Sequence, residues 1–507
     1  MDSAECTQQM ELFEVGRQQV TLDFKGGQLA SDAGLLPIAE LDRKLGLLAE
    51  AARLMPDPRS QLMVTHTVEQ ILRQQVFQIL AGYPDGNDAQ LLRSDPLFKT
   101  IVGKDPNDDE PLASGSTMNR FQNTFTRREA EKPLADRDVL FEVQRAKIDR
   151  IKNLNTFLID AFVRTRPEQP VEVVIDLDPT DDTAHGKQQL TLFNGHYDQN
   201  QYFPMMIFEG VTGMPLGAWL RTGTAHASHG AAEMLAQIVT RLRQHWPEIK
   251  IFVRGDAGLA NPEMYEYCEA AELKYAFGFS TNDVLKRRVK ELELEASTRL
   301  IWWMGGQRET QIFHSLDDYQ AGTWSCPRRI IIKSEITVTG GTNLRYVITN
   351  LTGFAADVYK NFYTQRGNVP ERPIGELKNG LHMDRLSFHR FFANGQKLLA
   401  HVLAYLLYAL FREANAKTPI LNTMEVGTAR TRLFKVACLV EATSRRIWIH
   451  VASHWPGRAM LIAATEAVSE HIRKLHARWH ELKLFYVGAI RDPRDQHRIV
   501  FAPLPLK

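Results

Sequence analysis

Apolar positions recur at two different periods along this chain, and the change between them divides it. In VTHTVEQILRQQVFQILAG, residues Val68, Ile71, Leu72, Val76 and Leu80 return at three- and four-residue steps, which places them on one helical face, and Gly82 stops the helix. GYPDGND at 82–88 is a turn cluster, and DAQLLRSDP reads as a short helix ending before Pro96. In LASGSTMNRFQNTFTRRE a Ser/Thr cap precedes a helix carrying Asn119, Arg120, Gln122 and Asn123. Residues 1–150 are therefore expected to be mostly helical.

From about residue 168 the period shortens. VEVVIDLD is a β-branched run, and QYFPMMIFEG and PLGAWLRTG continue as strands. AAEMLAQIVTRLRQHWP then reads as helix, IKIFVRGD as strand, NPEMYEYCEAAEL as helix and KYAFGFS as strand. Strands in succession, followed by strands alternating with helices, predict a mixed α/β layer fold over 151–284, resumed over 351–415. Between these, the charged LKRRVKELELEA and the strand-like TRLIWWMGG, RETQIFHSL, TWSCPRRIIIKSEITVTGG and LRYVITNL predict a β-rich insertion subdomain at 285–350. LLAHVLAYLLYALF at 398–411 is too short to span a bilayer and contains His401, so it reads as a buried helix. Residues 416–507 form a further, helical C-terminal region.

Composition narrows the class. A chain of 507 residues should hold two to four domains at roughly 100–200 residues each. Its 44% hydrophobic and 24% charged residues are ordinary for a globular protein in water, and a net charge of +1 leaves nucleic-acid binding to local patches. Cys6, Cys268, Cys326 and Cys438 stand far apart without a CxxC pair, against a zinc site or disulfide framework and in keeping with a reducing cytoplasm. The start MDSAECTQQMELFEVG has no signal-peptide pattern.

The chemistry concentrates in acids at strand ends. Asp178 closes VEVVIDLD two residues after Asp176, so both share a face. Asp256 closes IKIFVRGD, where Gly255 and Gly258 let the backbone crowd close. Acids at the C-terminal ends of adjacent strands converge at the mouth of an α/β sheet. A third carboxylate from the element after 370 would complete an oxygen-rich site for Mg²⁺ or Mn²⁺. Two such ions about 4 Å apart support in-line attack on a phosphodiester. Each acid alone also reads as a cap or turn residue.

Two other regions suit nucleic acid. Asn119 and Arg120 with their neighbours are side chains that read base edges from a helix in the major groove, or else form a solvated face. Residues 430–458 set Arg430, Arg432, Lys435, Arg445, Arg446 and Arg458 against Glu441, interleaved with Trp448 and Trp455. That is either a phosphate-binding surface or a solvated helical face over buried tryptophans.

VVIDLDPTDDTAHGKQQLTLFNGHYD, VRGDAGLANPEMYEYCEAAELKYAFGFSTN and YTQRGNVPERPIGELKNGLHMDRLSFHRFFAN, in this order, resemble a bacterial DDE transposase, in particular the insertion sequence 1380 family. The front segment AGYPDGNDAQLLRSDP and the tail RLFKVACLVEATSRRIWIHVASHWP belong to the same resemblance. It implies a ribonuclease H-like mixed-sheet core whose Asp, Asp and Glu bind two Mg²⁺ (or Mn²⁺) ions. The first acid is Asp178, in the family's Asp-x-Thr form with Thr180, and Asp176 competes with it; the second is Asp256. Related transposases carry Tyr-x2-Arg-x3-Glu-x6-Lys around the third. Here Tyr363, Arg366, Glu371 and Lys378 give Tyr-x2-Arg-x4-Glu-x6-Lys, one residue longer before the Glu. The retained spacing to Lys378 selects Glu371, bracketed by Pro370 and Pro373 at a helix start. Glu376, about 140° further around the helix, is the alternate.

By the same resemblance, Arg366 and Lys378 hold phosphates beside the scissile bond and Tyr363 contacts the DNA backbone, unless these cations pair with the glutamates. The β insertion would offer Trp302, Trp303, Trp324 or Tyr346 to stack a flipped base, unless these rings are core. His185 is either near the site or structural. The function expected is a cytoplasmic transposase, away from membranes, that binds the terminal inverted repeats of its element, cuts the double-stranded DNA there and joins the ends to target DNA as a homodimer. End binding falls to 1–150, and DNA contact or dimerisation to 416–507. A catalytically inactive DNA-binding derivative, or a metal-dependent nuclease without strand joining, are the rival functions.

Overall fold

The structure is a computed structural model, and it describes residues 9–57, 59–123, 137–184, 186–195, 197–290, 310–336, 342–368 and 371–489. At its centre is an eight-stranded mixed sheet. The strands β1 (Glu172–Pro179), β2 (Met205–Glu209) and β3 (Pro215–Trp219) are antiparallel neighbours, while β4 (Lys250–Gly255) and β5 (Lys274–Phe279) run parallel to β1. The strands β6 (Thr310–Tyr319), β7 (Arg328–Ile336) and β8 (Thr342–Thr349) follow as an antiparallel extension. Across the sheet the order is β6-β7-β8-β5-β4-β1-β2-β3.

The helices used below are α1 (Leu36–Leu45), α2 (Val68–Ala81), α3 (Arg137–Arg164), α4 (Ala231–His245), α5 (Pro262–Ala270), α6 (Phe391–Ala414) and α7 (Arg458–Ala489). The apolar run at 398–411 lies inside α6, which is buried along nearly its whole length and packs against α1, α2, α3 and β3. Among the described residues no helix is long and apolar enough to cross a membrane.

β1 owes its central place to alternation. Val173, Ile175 and Leu177 are at most 1% exposed, while Asp176 and Asp178 fall on the opposite face. The described strands of the 285–350 segment continue the central sheet: Ile348 of β8 pairs with Phe277 of β5. Trp324 and Tyr346 are buried, and Trp324 packs against Tyr265, Phe279 and Tyr319. Neither ring is therefore exposed to take up a base: Tyr346 lies on β8, and Trp324 folds in from the loop between β6 and β7. Trp302 and Trp303 lie outside the described residues, as does His185.

An early and a late part of the chain meet. Leu29–Ala30 pairs with Cys438–Ala442, which pairs with Ile447–Val451, and α1 packs against α7. Residues 438–451 are thus a hairpin rather than the helical face considered for 430–458. The alternation Ile447, Ile449, Val451 carries that strand, and the cationic turn between the two strands obscures the period. A second feature absent from the helical reading of the front is the hairpin Met10–Val15 with Gln18–Leu22.

Candidate active site

Register brings the two aspartates together. In the parallel pairing of β1 with β4, Asp176 is opposite Arg254 and Leu177 opposite Gly255, so the next positions, Asp178 and Asp256, come level at neighbouring strand ends. Asp176 is spent on structure. It is fully buried, and Arg254 grips it with two hydrogen bonds, Nε to Oδ1 at 2.6 Å and Nη2 to Oδ2 at 2.7 Å. The same guanidinium donates to the carbonyls of Phe362 and Gly210. Asp178, beyond this clamp, reaches the sheet edge.

Asp256 also caps the turn Ala257–Leu259, its Oδ1 accepting from the amides of Gly258 at 3.0 Å and Leu259 at 3.2 Å. The turn is held from the side by Gly278 of β5, where a Cβ would stand 2.7 Å from the Tyr363 hydroxyl and 2.8 Å from the Ala257 nitrogen. Only glycine lets these three segments close together.

The chain returns to this edge after β8 through the short helical turns Val358–Phe362 and Tyr363–Asn368. Arg366 points its Nη2 to Asp178 Oδ1 at 2.9 Å. Tyr363 is largely buried beside it, and burial raises its phenol pKa. Glu371 opens the helix Glu371–Gly375, with Pro373 in its first turn, where a missing N–H costs nothing. Glu371 is exposed, and its Oε1 comes within 3.9 Å of the Cβ position of Gly367. Glu376 points elsewhere. It is 4% exposed and receives Arg412 Nη1 at 2.6 Å and Arg372 Nε at 3.1 Å. Lys378 lies on the turn Glu376–Gly380 and binds Asp181 Oδ1 at 2.7 Å. Both cations thus pair with acids, but with aspartates at the end of β1 and just after it rather than with the glutamates.

Burial pushes the Asp178 carboxyl up to about 6; the Arg366 charge opposes this, while the negative charges of Asp256 and Glu371 add to it. All three acids therefore share one field, whereas Glu376 belongs to the Arg372–Arg412 clamp. Arg366 is the cation that the aspartates have in common, since Asp178, Asp256 and Asp176 all favour its charge. Among the described residues no three His, Cys, Asp or Glu side chains stand close enough to hold one metal ion.

Two side chains at this edge carried no sequence signal. Tyr197, in NGHYD, feels the charges of Asp181, Asp256 and Asp178. Arg221 is buried, donates to the carbonyls of Phe203, Ala227 and His229, and is affected by Asp256. Nothing in the spacing of either residue marks it; only the fold brings it there.

The other predicted contacts lie apart. Asn119 and Arg120 are exposed on the helix Gly115–Gln122, while Gln122 is 1% exposed and faces inward. Arg445 and Arg446 are exposed at the hairpin turn, Arg446 stacked over Trp448 at 5.7 Å. Arg43, Lys104, Arg445 and Arg446 line a cleft of about 950 Å³ there. Arg430 and Lys435 are structural instead. Arg430 donates to the carbonyls of Leu80 and Gly380, and Lys435 bridges Tyr83 and Asp32.

No curated protein matches the chain. The solved structure of a piggyBac transposase synaptic complex with hairpin DNA aligns with 92% of this chain and 83% of that one, at 10% identity and a TM-score of 0.41. The model for transposase DDE domain group 1 matches residues 13–473, and this chain belongs to that family.

Proposed function

We propose that this chain is an active transposase of the insertion sequence 1380 type, which cuts the terminal inverted repeats of its element and joins the ends to target DNA, with Asp178, Asp256 and Glu371 as its catalytic acids. The observation that carries this reading is the level placement of Asp178 and Asp256 on adjacent parallel strands, with Glu371 within their field. The strand order β5-β4-β1-β2-β3, three antiparallel strands followed by two parallel ones, supports a ribonuclease H-like core.

By ligand type the donor set suits a hard divalent ion, three carboxylates of which one is desolvated and repelled by the other two, and Glu371 would have to close on the two aspartates to share an ion with them. Asp178, Asp256 and Glu371 would hold Mg²⁺ or Mn²⁺, which supplies Lewis-acid charge for in-line displacement at phosphorus. Arg366 and Lys378, each already close to a carboxylate, would meet the phosphates on either side of the scissile bond, with Tyr363 against the backbone. The exposed helix carrying Asn119 and Arg120 would read the repeat, and the Arg445–Arg446 hairpin would add phosphate contacts. Two protomers are needed because two ends must be joined.

The test is cleavage and strand transfer by the purified full chain on duplexes carrying the repeats that flank its gene. Mg²⁺-dependent nicking at the repeat boundary, followed by joined products, is expected. Selective binding without nicking in Mg²⁺ or Mn²⁺ would overturn the reading.

A further inference from the structure

Asp176 and Arg254 form a tier directly beneath the proposed site. They face one another in the parallel register of β1 and β4, two residues before Asp178 and Asp256 on their strands. Asp176 is 0% and Arg254 3% exposed, and the guanidinium meets one carboxylate oxygen at 2.6 Å and the other at 2.7 Å. A slip of one residue would set Asp176 opposite Val253 or Gly255 and strand two buried charges, so this rung holds the register that levels the acids above it.

The ion pair does not use up the guanidinium. Nη1 donates to the Phe362 carbonyl at 2.9 Å, and Nη2 donates to the Gly210 carbonyl at 3.1 Å as well as to Asp176. The Phe362 ring lies 5.4 Å from Arg254 Cζ, and 5.7 Å from the ring of Phe252, two residues before Arg254 on β4. Gly210, just after β2, closes the enclosure: a Cβ there would stand 2.6 Å from Nη2 and 2.8 Å from Asp176 Oδ2. Phe362 ends the turn Val358–Phe362, and the next turn, Tyr363–Asn368, carries Arg366. Arg254 thus anchors the backbone one turn ahead of the guanidinium that meets Asp178 at 2.9 Å.

A buried ion pair adds little net stability over well-packed apolar side chains of similar volume. What apolar side chains could not supply is the convergence of contacts, one planar fork bound at once to β1, to the end of β2 and to the turn before Arg366. We propose that Arg254 is a positioning residue of the cleavage site, tying the turn that bears Arg366 to the strand that bears Asp178 through the Phe362 carbonyl and Asp176. Its role rests on Arg366 being the phosphate contact proposed above. Arg254 itself is buried and acts only through Arg366.

Arg254→Lys tests this, because lysine keeps a cation for Asp176, and with it the register, but cannot reach the Phe362 carbonyl as well. Hydrogen exchange of the full chain without DNA, read by mass spectrometry, should quicken at least tenfold at the amides of residues 363–368 and stay unchanged in α6. Single-turnover cleavage of pre-bound ends should slow about tenfold, but less than twofold in an Arg366→Ala background, where no guanidinium remains to be placed. Unchanged exchange at 363–368, or a slowing that multiplies in the double variant, would overturn the proposal. So would exchange that quickens equally in α6, the mark of a general loss of stability. If Arg254→Lys does not fold, Gly210→Ala, which crowds Nη2 and leaves every charge in place, is measured against the same outcomes. A parent chain that never cuts would remove the transposase reading, while the exchange measurement still decides whether Arg254 holds the turn.

Discussion

Arg366 Nη2 stands 2.9 Å from Asp178 Oδ1, so the side chain assigned to a DNA phosphate is already committed to a proposed catalytic acid. A phosphate entering the site would exchange for that carboxylate as the guanidinium's partner. The planar fork matters here, because a lysine is a point charge that cannot reproduce two-pronged contacts. Arg366→Lys is expected to slow single-turnover cleavage by about 10–100-fold with little change in melting temperature. Cleavage at the parent rate would show that charge alone suffices.

Asp256→Asn tests the second acid with little disturbance of shape. Asn caps a turn as well as Asp does, so the Ala257–Leu259 turn should persist. Loss of cleavage by roughly three orders of magnitude or more is expected, with end binding retained. Full activity in Mg²⁺ would remove Asp256 from the site.

The two glutamates should separate by kind of damage. Glu371→Gln is expected to abolish cleavage at unchanged stability, since Glu371 is exposed at a helix start. Glu376→Gln leaves Arg412 buried without its anion and should cost about 3 kcal/mol of stability while the folded fraction still cuts. Denaturant titration beside single-turnover cleavage of pre-bound ends reads both quantities. The reverse pattern would transfer the role to Glu376.

His401 sets an acid limit on stability. It is fully buried in α6, its Nδ1 2.8 Å from the Lys397 carbonyl oxygen, and burial pushes its pKa down to about 3. The unfolded chain takes up a proton near pH 6.5 while the folded chain does not. Stability from this group is therefore complete above pH 6.5 and falls as pH drops toward 3, by about 2 kcal/mol at pH 5. Unfolding titrations at pH 7 and pH 5 should show this loss reduced in His401→Leu, and an equal loss in both proteins would exclude His401 as its source.

Arg445 and Arg446 are exposed at a hairpin turn, so their removal should weaken DNA binding evenly across sequences. In the double alanine variant the slope of log affinity against log salt is expected to shrink by about two. A change confined to the repeat sequence would mean base reading instead.

Much of the candidate site was legible because a strand ending in an acid is a local pattern: VEVVIDLD and IKIFVRGD place Asp178 and Asp256 at strand ends without help from the rest of the chain. The choice between Asp178 and Asp176 was not local, since both share a face. The proposed choice of Asp178 rests on Arg254, a cross-strand neighbour 78 residues away that fills Asp176 with hydrogen bonds. Glu371 and Glu376 are likewise told apart by Arg412 on α6. The aromatics of the β segment failed as surface candidates for a similar reason: Tyr346 lies on a strand and Trp324 in the loop between two strands, but both are covered by packing that the local sequence cannot reveal. Arg430 and Lys435 read as free cations until Gly380, Leu80, Tyr83 and Asp32 come to meet them.

The pairing of Leu29–Ala30 with Cys438–Ala442 has a consequence for how the protein is made. Roughly 400 residues separate these strands, and a ribosome adding about 5–20 residues per second needs some 20–80 s to bridge them. Through that interval the front of the nascent chain lacks its final partners, including the α7 surface that covers α1. Completion of the amino-terminal layer is thus deferred until Cys438–Ala442 and α7 have been made, and a product cut short before them would expose that layer's apolar side to chaperones and proteases.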